Sequence, residues 1–260
     1  MFHHFIGGKY SFNSQGAIDI DRFRDILKFI GIKNILNPEE FIDKYEKNTL
    51  KESDVCITFD DSLLSQYEVA YPLLDDLGIK AFFFIYTSIF DEGFNFFETV
   101  RYFAASQFID FFEFCDNFFI TFSNFKGLEY QIFLEKHKVH MNELLLKHPY
   151  YTKKDVEFRT LRDLVLSQEE YRKIILIMFN KYNFDPLTVH EKIFLSKNHI
   201  KNLANDGNLI GLHTHNHPFL LESLLPNKQL LEYETNKNML ESIIGKKIIC
   251  MSHPNGSYDS

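Results

Sequence analysis

The segment Ile57-Thr58-Phe59-Asp60-Asp61 constrains this chain more than any other. An apolar run from Val55 to Phe59 that stops at two adjacent carboxylates reads as a buried strand with charge at its end. Neighbouring aspartates repel one another and lose hydration when buried, so the arrangement is costly unless a cation, a set of strong donors or a catalytic task compensates. A second segment offers partners for a cation. Gly211-Leu212-His213-Thr214-His215-Asn216-His217-Pro218 places three imidazoles within five residues, directly after the apolar pair Leu209-Ile210. Carboxylate and paired imidazole form a ligand set suited to zinc, iron or cobalt, with water completing the shell.

The surrounding chain alternates strand and helix. Phe2 to Ile6 is a short apolar run suited to a first strand, followed by a Gly/Ser/Asn/Gln-rich loop from Gly7 to Gly16. Asp19 or Asp21 can cap a helix in which Phe23, Ile26, Leu27 and Ile30 recur at helical spacing. The strand ending at Asp60 leads into a helix from about Leu63 to Leu77, closed by Gly78, and then a strand from Lys80 to Tyr86. Ala81-Phe82-Phe83-Phe84-Ile85 is apolar at every position, as in parallel strands covered on both faces. The pattern favours an α/β fold, a β/α barrel.

Between about Asp91 and Lys197 the alternation stops. Phe158, Leu161, Leu164 and Val165, then Tyr171, Ile174, Ile175 and Met178, recur at helical spacing instead. One barrel domain over 1–260 with a helical insertion over 91–197 is expected. Insertions between barrel strands sit on the face where the strand C-termini end, which gives this one either a lid or substrate-recognition role or plain packing. The many phenylalanines from Phe90 to Phe125 are expected as core.

A chain of 260 residues can bury one substantial core without a second domain. The formal net charge of −8 argues against a nucleic-acid partner, which needs a basic face. Cys56, Cys115 and Cys250 are odd in number and lie in apolar runs, so they read as small buried hydrophobes in a reducing compartment. With no basic leader before Met1-Phe2-His3-His4-Phe5 and no stretch of about 18 apolar residues, a soluble cytoplasmic protein is expected, at most peripheral to a membrane.

Taken with their flanks, the two charged segments resemble the polysaccharide deacetylases, carbohydrate esterase family four of the NodB-homology type. Thr58-Phe59-Asp60-Asp61 is similar to that family's first motif, and His213-Thr214-x-x-His217-Pro218 to its second. Tyr71-Pro72-Leu73-Leu74 through Gly78-Ile79-Lys80-Ala81-Phe82-Phe83-Phe84 resembles the helix and strand after the first motif. Leu203 to Gly211 resembles the helix and strand leading into the second. Ser252-His253-Pro254-Asn255-Gly256-Ser257-Tyr258-Asp259 resembles the third motif. Motifs and flanks touch about half the chain, and their order makes the match specific.

The resemblance implies a distorted (β/α) barrel, a divalent metal held by Asp61, His213 and His217, and Asp60 as general base on a water. Zinc is the first choice of metal, with iron, cobalt or nickel as alternatives. A backbone N–H at Asn255 is the implied oxyanion donor. Three departures stand out: Ser62 where the family commonly has glycine, Ser252 where an arginine often orients the base, and Asn255 where an aromatic follows the proline. Arg159 or Arg162 is a candidate substitute for that arginine.

The family's later motifs, including the Leu-x-x-His that supplies the general acid, do not follow Asp259. Either the chain resembles a circular permutation, with the acid on the first strand as His4 or, second choice, His3, or a C-terminal tail is missing. About five candidate strands against the family's seven is consistent with both. The implied activity is removal of an N-acyl group, acetyl by default or formyl, from a nucleotide- or lipid-linked amino sugar in surface-polysaccharide assembly. The competing reading of the Asp pair is a helix cap with solvated histidines. Two competing functions are a non-catalytic sugar-binding barrel and an assembly partner in a glycan-synthesis complex.

Overall fold

Three short strands set the frame: β1 (Thr58–Phe59), β2 (Phe82–Ile85) and β3 (Leu209–Leu212), paired in parallel in the order β1-β2-β3. The structure, a computed structural model, describes residues 1–9, 14, 16–218 and 220–257. The expected strand Phe2 to Ile6 is present only as single bridges, Phe2 to Phe59 and Phe5 to Ile18. The reason lies in its partners. Phe2 N–H donates to Thr58 O, whereas two residues on His4 O accepts from Ile18 N–H, so the segment changes neighbours before either ladder can extend. Beyond β3, Met251 bridges Leu212. The described pairings therefore form an open parallel sheet, and the closed barrel expected from the sequence is not among them.

The chain divides into two compact units, residues 1–95 with 189–260, and residues 96–188. In the first, α1 (Ile20–Ile30) is capped by Asp19, whose carboxylate accepts from Arg22 N–H at 2.7 Å, and it buries Phe23 and Leu27 fully. After α2 (Pro38–Glu46) and β1 comes a π-helical stretch, Gln66–Ala70, that runs into α3 (Tyr71–Asp76) and stops at Gly78, whose φ of 68° suits glycine. The helix expected from about Leu63 to Leu77 is thus π-helical in its first part and α-helical in its second.

The second unit is helical: α4 (Phe96–Gln107), α5 (Phe111–Lys126), α6 (Tyr130–Glu135), α7 (Lys138–Lys147), α8 (Lys153–Thr160) and α9 (Gln168–Lys181). Phe103, Phe114, Phe118 and Phe122 are buried within it, in line with the core expected from Phe90 to Phe125, although Phe97, Phe112 and Phe125 of that stretch are exposed; Phe179 is buried as well. Its helix starts are well marked, with capping boxes at Thr152/Asp155 and Ser167/Glu170.

Back in the first unit, α10 (His190–Ile193) and α11 (Lys197–Asn205) precede β3, and α12 (Pro226–Ile244) follows it, ended by Gly245 in the left-handed region. Phe59, Phe83, Ile85 and Ile210 from the sheet pack with Phe23, Leu27, Leu74, Ile200, Leu203, Leu240 and Ile243 from the helices into one core. β2 is buried at all four positions, as a central parallel strand should be. All three cysteines are free. Among the described residues no helix is long and apolar enough to cross a membrane.

Candidate metal centre

Parallel pairing brings the C-terminal ends of β1 and β3 to the same edge of the sheet, and both charged motifs begin there. Asp61 Oδ1 lies 3.1 Å from His217 Nε2 and 3.5 Å from His213 Nε2. One ligand atom from each of Asp61, His213 and His217 falls within 4.8 Å of the others. His213 Nε2 is also 3.8 Å from Asp60 Oδ2.

The local backbone explains how side chains so close in sequence converge. Asp61 and Ser62 are both left-handed, with φ of 74° and 60°. Such a conformation costs a non-glycine residue about 1–2 kcal/mol, so something must hold Ser62 where the resembled family commonly has glycine. Its fully buried hydroxyl accepts from Tyr86 N–H at 3.0 Å and donates to Tyr86 O at 3.3 Å, tying the end of β1 to the end of β2. On the other motif, Thr214 and His217 have φ of 62° and 53°. Thr214 Oγ1 donates to His213 O at 2.6 Å and accepts from His217 N–H at 3.1 Å, making the tight loop that turns two imidazoles toward one point. His215 turns elsewhere: Nδ1 is 2.9 Å from the Thr87 hydroxyl and Nε2 is 3.1 Å from Asp91 Oδ2.

Orientation of the His213 ring is fixed by its other nitrogen. Nδ1 is 2.9 Å from Ser252 O, and a carbonyl only accepts, so Nδ1 carries a proton and Nε2 faces the carboxylates, donating to Asp61 while the ring is protonated and offering its lone pair to an ion once that proton leaves. A metal-binding imidazole is commonly held this way. Burial lowers the affinity of His213 for a proton, but the hydrogen bond to Asp61 and the charge of Asp60 outweigh it, and its pKa is raised. Burial works against the Asp61 anion too, and is overcome by the hydrogen bonds from His213 and His217, which hold its carboxyl well below the usual carboxylate range. Asp60 goes the other way, raised chiefly by burial despite the nearby His213. The two neighbouring carboxylates are thus driven apart, Asp61 held low by the imidazoles and Asp60 made the more basic of the pair by burial.

Asp60 is 3% exposed, and its Oδ1 is buried without a protein partner among the described residues. An orphaned carboxylate oxygen beside three metal-type ligand atoms fits a site made for a cation and a water. A helix cap with solvated histidines does not fit, because His213 is only 2% exposed and its ring is fully engaged.

The remaining residues singled out from the sequence fall as follows. His3 reaches the centre, with Nε2 3.8 Å from Asp61 Oδ2, and the His4 ring stacks against it at 6.4 Å between centroids. Asn255 lies in a short 3-10 turn, Pro254–Gly256, with a left-handed φ of 55°. Tyr258 and Asp259 lie outside the described residues. Arg162 is paired with Asp163 through Nε, and Arg159 stacks on Tyr151 at 4.4 Å, both in the helical unit. The side-chain donor on Asp60 is the Ser252 hydroxyl, 3.2 Å from Oδ2.

Sequence reasoning missed three supporting residues. Asn236 of α12, fully buried, accepts from His213 N–H at 3.0 Å and donates to Ile85 O at 2.9 Å and Thr87 Oγ1 at 3.1 Å. Glu232, one turn earlier, accepts from His215 N–H at 3.0 Å and Asn216 N–H at 2.7 Å. Gln66 opens the π-helical stretch and donates from Nε2 to His3 O at 2.9 Å and to Asp60 O. A usable signal existed for one of them. Asn236, Leu240 and Ile243 share helical spacing, so a polar residue stands within an apolar stripe.

With that geometry in hand, the comparisons bear on its class. The polysaccharide deacetylase family model matches residues 178–260, the span holding β3, both candidate histidine ligands and Ser252. Among solved structures, Streptococcus pyogenes deacetylase PplD in complex with acetate is 18% identical with a TM-score of 0.51, over 100% of this chain and 74% of that one. A de-N-acetylase from Aggregatibacter actinomycetemcomitans is 14% identical with a TM-score of 0.51, over 100% of this chain and 79% of that one. No curated protein matches by sequence. The resemblance read from the motifs stands: the chain is similar to the polysaccharide deacetylases in sequence over its last third and to solved deacetylases in fold.

Proposed function

We propose that this protein is a metal-dependent hydrolase that removes an N-acyl group, acetyl by default, from an amino sugar. The observation that carries the reading is the Asp61, His213 and His217 ligand set with the unpartnered Asp60 Oδ1 beside it. When bound, a divalent metal such as zinc would polarise the amide carbonyl and acidify a water. The protein's residues do the rest. Asp60 takes the proton from the attacking water, and the backbone N–H of Asn255 donates to the developing oxyanion. Deacetylation in the two relatives by fold, one of them solved with acetate, supports acetyl over formyl. A nucleotide- or lipid-linked amino sugar in surface-polysaccharide synthesis is the proposed substrate class.

The departing amine needs a proton, and the geometry favours His3 over His4 as its source. Gln66 holds the His3 carbonyl and the Asp60 carbonyl with one amide, which sets the His3 ring beside the carboxylate pair. His3→Ala is therefore expected to lower turnover of an N-acyl sugar by about a hundredfold, the scale of general-acid loss, while sparing a synthetic ester with a good leaving group. His4→Ala should be mild on both. Equal losses on amide and ester for His3→Ala would rule out the assignment.

The function is tested by metal analysis of the purified protein, followed by measurement of acetate and formate released from a panel of N-acylated amino sugars. Bound metal and release from at least one sugar are expected. Metal without release from any sugar would instead identify a sugar-binding protein on the same fold.

A further inference from the structure

Ser252 stands where the resembled family often carries a base-orienting arginine, and it makes two contacts into the centre with different atoms. Its hydroxyl is 3.2 Å from Asp60 Oδ2, and its carbonyl is 2.9 Å from His213 Nδ1. Its backbone is itself pinned to β3. Ser252 N–H donates to Leu212 O at 2.9 Å, and Leu212 N–H donates to Cys250 O at 3.0 Å. A residue fixed in this way transmits the position of the sheet edge to whatever it bonds.

We propose that Ser252 is the positioning residue for Asp60, holding one carboxylate oxygen so that the other is presented bare to the water; this rests on the reading of Asp60 as the base. The chemistry of the donor decides the outcome. A guanidinium presents a fork of N–H groups that can occupy both oxygens of a carboxylate and adds a full positive charge. A hydroxyl has one hydrogen and no charge. Directed at Oδ2, it fixes the carboxylate plane and leaves Oδ1 unpaired, as found. The same residue's carbonyl sets the His213 tautomer, but through backbone, so substitution of the side chain separates the two roles.

The test compares Ser252→Ala and Ser252→Thr with the wild type, each loaded with metal, by crystal structure and by kinetics on an N-acetylated amino sugar. In Ser252→Ala the Asp60 carboxylate should rotate or occupy more than one orientation, kcat should fall about tenfold or more, as for loss of a hydrogen bond to a charged group, and KM and metal content should be unchanged. Ser252→Thr, which keeps the hydroxyl, should restore both the carboxylate orientation and most of kcat. An Asp60 carboxylate unmoved in the alanine variant would overturn the proposal, as would equal losses in the two variants or loss of metal from either. If no acylated sugar is hydrolysed even by wild type, the functional reading fails, and the Asp60 orientation in the two variant structures still decides the role of Ser252.

Discussion

The double variant His213→Ala, His217→Ala is expected to retain no stoichiometric divalent metal and to have no measurable hydrolase activity. Each imidazole would supply one of the three candidate ligand atoms, and one carboxylate alone would not hold the ion against water. Removing both rings also leaves Ser252 O without its donor from His213 and takes from Asp61 the two hydrogen bonds that hold its carboxyl low. Asp61→Asn should weaken binding as well, because an amide brings no charge. Elemental analysis after loading with zinc and desalting measures this directly. Metal content unchanged in the double variant would sink the assignment of all three ligands.

Asp60→Asn should behave differently, keeping its metal and its fold while turnover drops about a hundredfold or more, the usual scale for loss of a general base. The substitution is nearly isosteric, and an amide oxygen can still accept from Ser252. What disappears is the capacity to take a proton. Circular dichroism, metal content and kcat measured on one preparation separate these effects. Metal loss as complete as in Asp61→Asn would mean that both carboxylates serve the ion and that the base lies elsewhere.

The sequence pointed to the residues that the structure brings together because these candidate ligands lie in short, self-contained segments at strand ends. Asp60-Asp61 and His213-x-x-x-His217 can be read one residue at a time, and the apolar runs before them announce the strands. What could not be read was whatever depends on contacts between distant segments. Ser62 looked like a loss of glycine's freedom; its hydroxyl turns out to be what keeps a left-handed turn in place, through Tyr86. Ser252 looked like the absence of an arginine, since nothing local shows that its hydroxyl meets Asp60. The barrel expectation rests on apolar runs alternating with helices, each run taken as a full strand, and on the family resemblance. Phe2 to Ile6 fits that pattern yet pairs at single positions, because pairing depends on which neighbours its N–H and C=O groups find. Gln66 gave no warning either, since a π-helical turn leaves no mark in the periodicity of five residues.

The parallel pairing of β2 with β3 has a kinetic consequence. The ends of β1 and β2 meet across 24 residues, as in the Ser62 to Tyr86 contacts, whereas the start of β3 meets β2 across 127, as in the Asn208 to Ala81 contact. Loop-closure entropy grows as the logarithm of span, so the second closure costs about 1.5 kcal/mol more than the first if the intervening chain is flexible. The carboxylates belong to the half that forms through the short closure, and the imidazoles arrive only with the long one. An ion shared between them would act as a clasp on that late step, slowing unfolding more than it speeds folding. Stopped-flow unfolding of the protein with and without zinc should show it as a slower unfolding rate with zinc and a nearly unchanged folding rate.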